Sequence, residues 1–182
     1  MKTFLREQLH PALLAGENLV WVDRPEGGIK FRLWDFFLIP FSFAWAVPVI
    51  IGPGMILFGD SLDKPPILVI VPLLFSVVGF YITFGRFVHD LMLRNRTVYG
   101  ISDHGRILIK TGLFRTRFIS FEIKNLPKLE LKSKSDKSGS LRFEDGGSTY
   151  QYRKGYWLGD YTNQFAYIQN AKEVYQLIMQ YR

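Results

Sequence analysis

The sequence predicts an α+β membrane protein: a transmembrane helical hairpin plus an antiparallel β-sandwich or partly open barrel with a C-terminal capping helix. Two long uncharged runs, residues 36–58 and 67–84, predict the hairpin. Short segments that alternate apolar and polar residues between positions 97 and 153 predict the strands. Asn170 and Glu173 form a capping-box pattern ahead of helical apolar spacing, which predicts the final helix.

Each uncharged run has about the length of a membrane span. The first has 23 residues, which reach about 35 Å as a helix against about 30 Å of hydrocarbon core. The second has 18 residues and follows two prolines, which suit the first turn of a helix. The connector 59–64 is too short to be a domain, so the helices are expected to be antiparallel neighbours. The hairpin is therefore predicted over 34–85, with spans near 34–58 and 65–85.

Basic residues cluster on one side of the predicted hairpin. Six Lys and Arg residues stand near its outer ends, whereas the connector has only Lys64. The positive-inside rule then predicts a multi-pass protein of the cytoplasmic (inner) membrane with both termini in the cytoplasm. The cations expected to meet anionic lipid headgroups are Lys30, Arg32, Arg86, Arg94 and Arg96.

Small residues within the two runs permit close helix packing. The candidates are Ser42, Ala46, Ser76 and Gly79. Neither run carries an ionisable residue at its middle, which argues against a self-contained transporter or proton channel.

Outside the hairpin, the chain divides into three cytoplasmic parts. Residues 1–33 form an N-terminal segment, 86–96 a helix extension and juxtamembrane linker, and 97–182 a folded domain. The N-terminal segment has two open placements, on the membrane interface or on the domain as an added strand. Within the domain, alternation is clearest at 117–123 and 128–132, where apolar residues occupy every second position.

The chain resembles the bacterial family of membrane proteins with a pleckstrin-homology-like (PH-like) domain. The resemblance rests on residues 96–103, 106–109 and 117–123, on Gly112, and on the terminal helix at 168–178. It implies seven strands in two sheets, a C-terminal capping helix and no reaction. Many eukaryotic domains of this fold bind phosphoinositides through a basic loop between the first two strands. The matching hairpin here, 103–106, offers one cation where such sites use several.

Positive charge is concentrated in the predicted domain. Residues 97–182 hold 14 Lys and Arg against 8 Asp and Glu, which gives +6 of the chain's net +7. Such a balance suits anionic lipid, nucleic acid or an acidic protein surface. The basic-face candidates are Arg115, Arg117, Lys132, Lys134 and Lys137.

The sequence contains no motif that is typical of a catalytic or metal-binding site. The chain has no cysteine, which excludes disulfides, thiolate zinc sites and cysteine nucleophiles. The three histidines have no metal-ligand spacing, and no phosphate loop or nucleophile elbow is present. We therefore expect a protein that is not an enzyme and has no cofactor and no metal.

The leading hypothesis is a non-catalytic integral membrane adaptor or accessory subunit. Its PH-like domain would mediate protein docking at the cytoplasmic membrane surface, with membrane lipids and a larger membrane protein complex or a homo-oligomer as partners. The alternative is a lipid-surface sensor or scaffold that binds anionic headgroups through the basic face. A remote alternative is a membrane-tethered nucleic-acid-binding module that stacks bases on Tyr99, Tyr150 and Tyr152. We expect no nucleic-acid partner, because aromatics at strand spacing more often pack.

Overall fold

The computed structural model describes residues 2–28, 31, 35–37, 39–44, 51, 67–133, 138–144 and 161–182. The chain forms two compact units. The first, here called the sheet unit, comprises Met1–Gly28 and Asp90–Arg182, and the second, here called the helical unit, comprises Ile29–His89.

The described residues include four α-helices and seven strands with defined bounds. The helices are α1 (Lys2–Leu9), α2 (Ile67–Phe80), α3 (Arg86–Asn95) and α4 (Ala171–Gln180), with 3₁₀ turns at His10–Ala12 and Ile123–Asn125 and a π-helical turn at Tyr81–Gly85. The strands are β1 (Leu19–Asp23), β2 (Val98–Ser102), β3 (Arg106–Thr111), β4 (Arg117–Glu122), β5 (Lys128–Ser133), β6 (Gly139–Glu144) and β7 (Gln164–Ile168). Residues 35–37, 39–44 and 51 are also helical.

The strands form two antiparallel sheets in the order β1-β2-β3-β4 and β5-β6-β7. The register places apolar residues opposite each other, as where Ile109 faces Ile119 across β3 and β4. Leu131 likewise faces Leu141 across β5 and β6. Matched apolar positions give each sheet an apolar face for the shared core, as the alternating sequence predicts.

One hydrophobic core joins the two sheets and α4. At its centre Phe165 is fully buried, with ring-centroid distances of 4.7 Å to Tyr99, 4.9 Å to Phe143 and 5.3 Å to Trp21. Helix α4 adds one face, through Ala171, Val174 and Ile178. Because residues from both sheets and the helix enclose these rings, this core is the main source of stability of the sheet unit.

Helix α1 covers the opposite face of the first sheet. Leu5 and Leu9 pack with residues of β1, β2 and β3 in a second apolar cluster. A Cβ atom on Gly100 would lie 2.6 Å from Leu9 Cδ1 and 2.9 Å from Leu19 Cδ2, so glycine permits this close approach. With apolar contacts on both faces, all five residues of β2 are buried.

The N-terminal segment is therefore part of the sheet unit. Of the two placements that the sequence leaves open, the structure has the added strand: β1 pairs antiparallel with β2. The predicted boundary between 1–33 and the later domain does not separate compact units, since residues 1–28 group with 90–182.

The start of the terminal helix differs from the predicted capping box. Asn170 adopts a left-handed conformation with φ 50° and ψ 41°, and its side chain makes no capping hydrogen bond. Its carbonyl oxygen accepts the first hydrogen bonds of the helix, from the backbone N–H groups of Glu173 and Val174. The predicted helix is confirmed, but the prediction of a side-chain cap is wrong. The predicted alternation at Tyr150 and Tyr152 lies outside the described residues.

The predicted transmembrane hairpin is wrong. In the part of the chain that the structure describes, no helix is long and apolar enough to cross a membrane. The α-helix of the second predicted span, α2, has 14 residues, about 21 Å, before the backbone widens into the π-helical turn. Most of the first predicted span, 34–58, lies outside the described residues.

The predictions that depended on the hairpin are corrected with it. The membrane-protein fold class, the multi-pass character and the inner-membrane localisation with cytoplasmic termini all required spanning helices. The finding on helix length and apolarity contradicts them. What the structure shows is an α+β fold with two antiparallel sheets.

Candidate functional site

The helical unit exposes many large apolar side chains. The exposed residues between 67 and 88, here called the apolar surface, are Ile67, Ile70, Val71, Leu73, Leu74, Phe75, Val77, Val78, Phe80, Tyr81, Phe84 and Val88. Val77 is 62% exposed and Phe80 is 67% exposed. These positions cover a broad face of α2 that is wider than one stripe, whereas Ser76 and Gly79 lie on the remaining side. Contiguous exposed apolar area of this kind marks an interaction surface.

Small and charged residues lie on the inner side of the same unit. Asp35 and Arg86 form an ion pair with an N–O distance of 2.7 Å, and their side chains are 5% and 14% exposed. Of the predicted helix-packing residues, Ser42 and Gly79 are buried and Ser76 is half-buried. Ala46 lies outside the described residues. The small side chains therefore lie inside this unit, and the exposed surface is made of large apolar ones.

A buried arginine occupies the centre of the polar contacts of the sheet unit. Arg94 is 1% exposed and bonds Asp90 one helical turn away, with an Nε–Oδ2 distance of 3.0 Å. Its other two nitrogens donate to the backbone oxygens of Glu26, at 3.0 Å, and Gly28, at 2.7 Å. The Tyr161 hydroxyl donates to Asp90 Oδ1 at 2.6 Å. The Arg94 guanidinium thus links residues 26–28 to α3, because its nitrogens can donate hydrogen bonds to several oxygens at once.

The prediction that Arg94 meets lipid headgroups is therefore wrong. Its side chain is enclosed, with the guanidinium carbon 5.5 Å from the centre of the Tyr167 ring. A cation engaged on all its donor groups has a structural role. Arg86 is also largely enclosed in its pair with Asp35, whereas Arg96 is exposed. Lys30 and Arg32 lie outside the described residues.

A second ion pair fastens the N-terminal segment to the β2–β3 hairpin. Arg106 Nη1 lies 2.8 Å from Glu17 Oε2, and the Glu17 side chain is fully enclosed. The backbone N–H of Leu14 donates to the same oxygen at 2.7 Å. Beside it, Asp103 accepts from the backbone and side-chain nitrogens of Asn18 at 2.9 and 3.2 Å. These contacts fix where the segment meets the hairpin.

Both carboxylates stay ionised at neutral pH. Burial alone would raise the pKa of Glu17, but hydrogen bonds from Leu14 and Ser102 and the charge of Arg106 outweigh it and lower that pKa. The hydrogen bonds from Asn18 lower the pKa of Asp103. Carboxylates held as anions do not act as general acids near neutrality.

We expect Glu17→Gln to remove a pH-dependent part of the stability. The folded pKa is below the ordinary value of 4.5, so the carboxylate stabilises the fold above about pH 4.5, and this contribution is lost as pH falls through the folded pKa. At pH 7 the variant should lose about 1–2 kcal/mol of unfolding free energy. Urea unfolding between pH 3 and 7 measures it, and the difference from wild type should shrink on acidification. Glu7→Gln, at an exposed position of α1, is the control; a pH-independent difference would contradict the assignment.

A pocket of about 600 Å³ lies beside this cluster. It is lined by Leu14, Arg106, Ser120, Phe121, Glu122, Asn125 and Leu126. Its arginine is already engaged by Glu17, and Glu122 accepts from the Asn125 amide at 2.6 Å. Arg106 and Glu122, the two charged groups of the pocket, are therefore both engaged by other residues of the chain.

The basic-face candidates are only partly brought together. Arg115 and Arg117 are exposed in and beside the β3–β4 turn, on the first sheet. Lys132 is exposed on β5 of the second sheet, with Nζ 3.7 Å from Glu130 Oε1. Lys134 and Lys137 lie outside the described residues. The structure thus places an arginine pair at one turn.

Neither a metal-binding cluster nor a tyrosine platform for base stacking is found among the described residues considered for these roles. No group of three or more His, Asp or Glu side chains there is placed to hold a metal ion. Tyr99, one of the three tyrosines considered for base stacking, is fully buried, and its hydroxyl accepts from the Ala166 N–H at 3.1 Å. Burial raises the pKa of Tyr99, so it stays neutral inside the core. It is closed to a nucleic-acid base.

Sequence reasoning missed two features. The Glu17–Arg106 pair joins residues 89 positions apart, and no local pattern signals it. Phe114, 94% exposed, stands between Gly112 and two arginines, a local sequence that does signal an exposed turn.

No protein-family model, curated protein or solved structure matches this chain. The resemblance to the PH-like membrane family therefore stays a prediction. Functional inference depends on the surfaces described above.

Proposed function

We propose that this protein is a non-catalytic adaptor that docks onto a partner protein through the apolar surface of its helical unit. The observation that carries the proposal is the exposure of twelve large apolar side chains between residues 67 and 88. Leaving such area in water is unfavourable by roughly 25 cal/mol per Å², so a binding partner that covers it gains that free energy.

The composition of the surface supports a protein partner. Aromatic side chains recur on it, with Phe80 67% exposed and Tyr81 and Phe84 each 49% exposed. Aromatic residues are enriched at the centres of protein interfaces, where they dominate binding energy. The sheet unit contains its own enclosed ion pairs and its own core, so the docking surface is not needed for its stability.

Val77→Asp is expected to abolish the partner complex without unfolding the chain. Val77 is 62% exposed, so its replacement removes little internal packing and places a charge in the interface. The measurement is purification of tagged full-length protein from its native source, with the amount of a stoichiometric partner quantified by mass spectrometry. We expect at least a tenfold loss, of the order produced by about 1.4 kcal/mol or more at an interface centre.

Val20→Asp is the matched control. Val20 is also an exposed valine, at 44%, but it lies on β1 of the sheet unit. This variant should keep the partner at wild-type level. Retention of the partner by Val77→Asp, or elution of wild type alone, would refute docking through the apolar surface.

A further inference from the structure

The turn between β3 and β4 carries the most exposed large apolar side chain in the described residues. Phe114 is 94% exposed, and Phe118, at the start of β4, is 43% exposed. We call residues 112–118 the β3–β4 tip. An aromatic ring that lies almost wholly in water at a hairpin turn contributes nothing to the core and is open to a binding partner.

The fold holds the tip in this conformation. Gly112 has φ +134°, and a Cβ atom there would lie 2.0 Å from the carbonyl oxygen of Arg115. Only glycine therefore allows the chain to turn this tightly. Arg96, which follows α3, donates through Nη1 to the carbonyl oxygen of Leu113. The turn is thus anchored from two sides while the Phe114 ring points away from the protein.

Positive charge surrounds the exposed ring. Arg96, Arg115 and Arg117 are all exposed, and no acidic residue occurs between Asp103 and Glu122. An aromatic ring beside several cations complements an anionic lipid surface, where the ring enters the headgroup–acyl boundary and the cations meet phosphates.

We propose that the β3–β4 tip is a binding site for an anionic phospholipid surface. Phe114 inserts below the headgroups, and Arg115 and Arg117 bind lipid phosphates. The site lies at the opposite end of β3 from the 103–106 hairpin, because Arg106 begins that strand and Thr111 ends it. It is independent of the apolar surface, which belongs to the other unit.

The absence of cysteine allows a local test in the full-length chain. Phe114→Cys is labelled with an environment-sensitive fluorophore and mixed with vesicles of phosphatidylcholine containing phosphatidylglycerol. We expect a blue shift and an intensity increase with these vesicles, little change with pure phosphatidylcholine, and a weaker response at about 0.5 M salt. A probe at one residue reports insertion of the tip, whatever else brings the chain to the vesicle.

Two matched variants complete the experiment. Phe4→Cys carries the same fluorophore at another exposed phenylalanine of the sheet unit, and its signal should not change. Adding Arg115→Glu and Arg117→Glu to the Phe114 probe should weaken vesicle partitioning at least 25-fold, about fivefold for each arginine lost. A silent probe at position 114, an equal response to zwitterionic vesicles, or an unchanged response in the charge-reversed variant would each overturn the proposal.

Discussion

Replacing Arg94 with methionine is expected to lower the free energy of unfolding by about 3–5 kcal/mol, one of the two largest effects that we predict. Methionine fills similar volume but donates no hydrogen bond. Asp90 would keep its hydrogen bond from Tyr161 but lose its ion pair with Arg94. The carbonyl oxygens of Glu26 and Gly28 would lose the hydrogen bonds that Arg94 donates. An enclosed carboxylate without its counter-charge is the main source of the loss.

Chemical denaturation of the purified variants measures this effect. Arg94→Lys should fall between wild type and methionine, because an ammonium group cannot reproduce the fork of donors that reaches three oxygens. Arg6→Met, at an exposed position of α1, is the control and should stay within about 0.5 kcal/mol of wild type. A loss below about 1 kcal/mol for Arg94→Met would mean that the network adds little to stability.

Phe165→Ala is expected to cost about 3–5 kcal/mol, because it opens a cavity at the centre of the core. The ring contacts Tyr99, Phe143 and Trp21, so its loss weakens packing in both sheets together. Phe165→Leu keeps most of the volume and should cost less, about 1–2 kcal/mol.

The same substitution at the tip is the control. Phe114→Ala removes a ring that is 94% exposed, so its unfolding free energy should be close to that of wild type. Comparable losses for Phe165→Ala and Phe114→Ala would contradict the assignment of one ring to the core and the other to solvent.

Local periodicity made the strands of the sheet unit predictable. Ile119 and Phe121 alternate with polar residues, and the structure turns both toward the shared core. Leu129 and Leu131 do the same on β5. A strand exposes alternate residues to opposite faces, so one-sided burial leaves its period in the sequence.

Long-range partners were not predictable in this way. Counting basic residues beside an apolar run treated Arg94 as a surface cation, whereas its carbonyl partners come from residues 26 and 28. The hairpin prediction likewise assumed one regular α-helix along the second uncharged run, whereas the α-helix changes to a π-helical turn after Phe80. Hydropathy alone does not reveal where the backbone changes its helical form. Asn170 fits a capping box in sequence, but its backbone is left-handed and its side chain makes no capping hydrogen bond.

The pairing of β1 with β2 has a consequence for the order in which the protein is made. β1 ends at Asp23, but its partner begins only at Val98, after the whole helical unit has been synthesised. At roughly 5–20 residues per second, the ribosome leaves the early strand without its neighbour for several seconds. During that interval its apolar residues Leu19 and Val22 have no sheet to join. Formation of the first sheet therefore waits until β2 has been made.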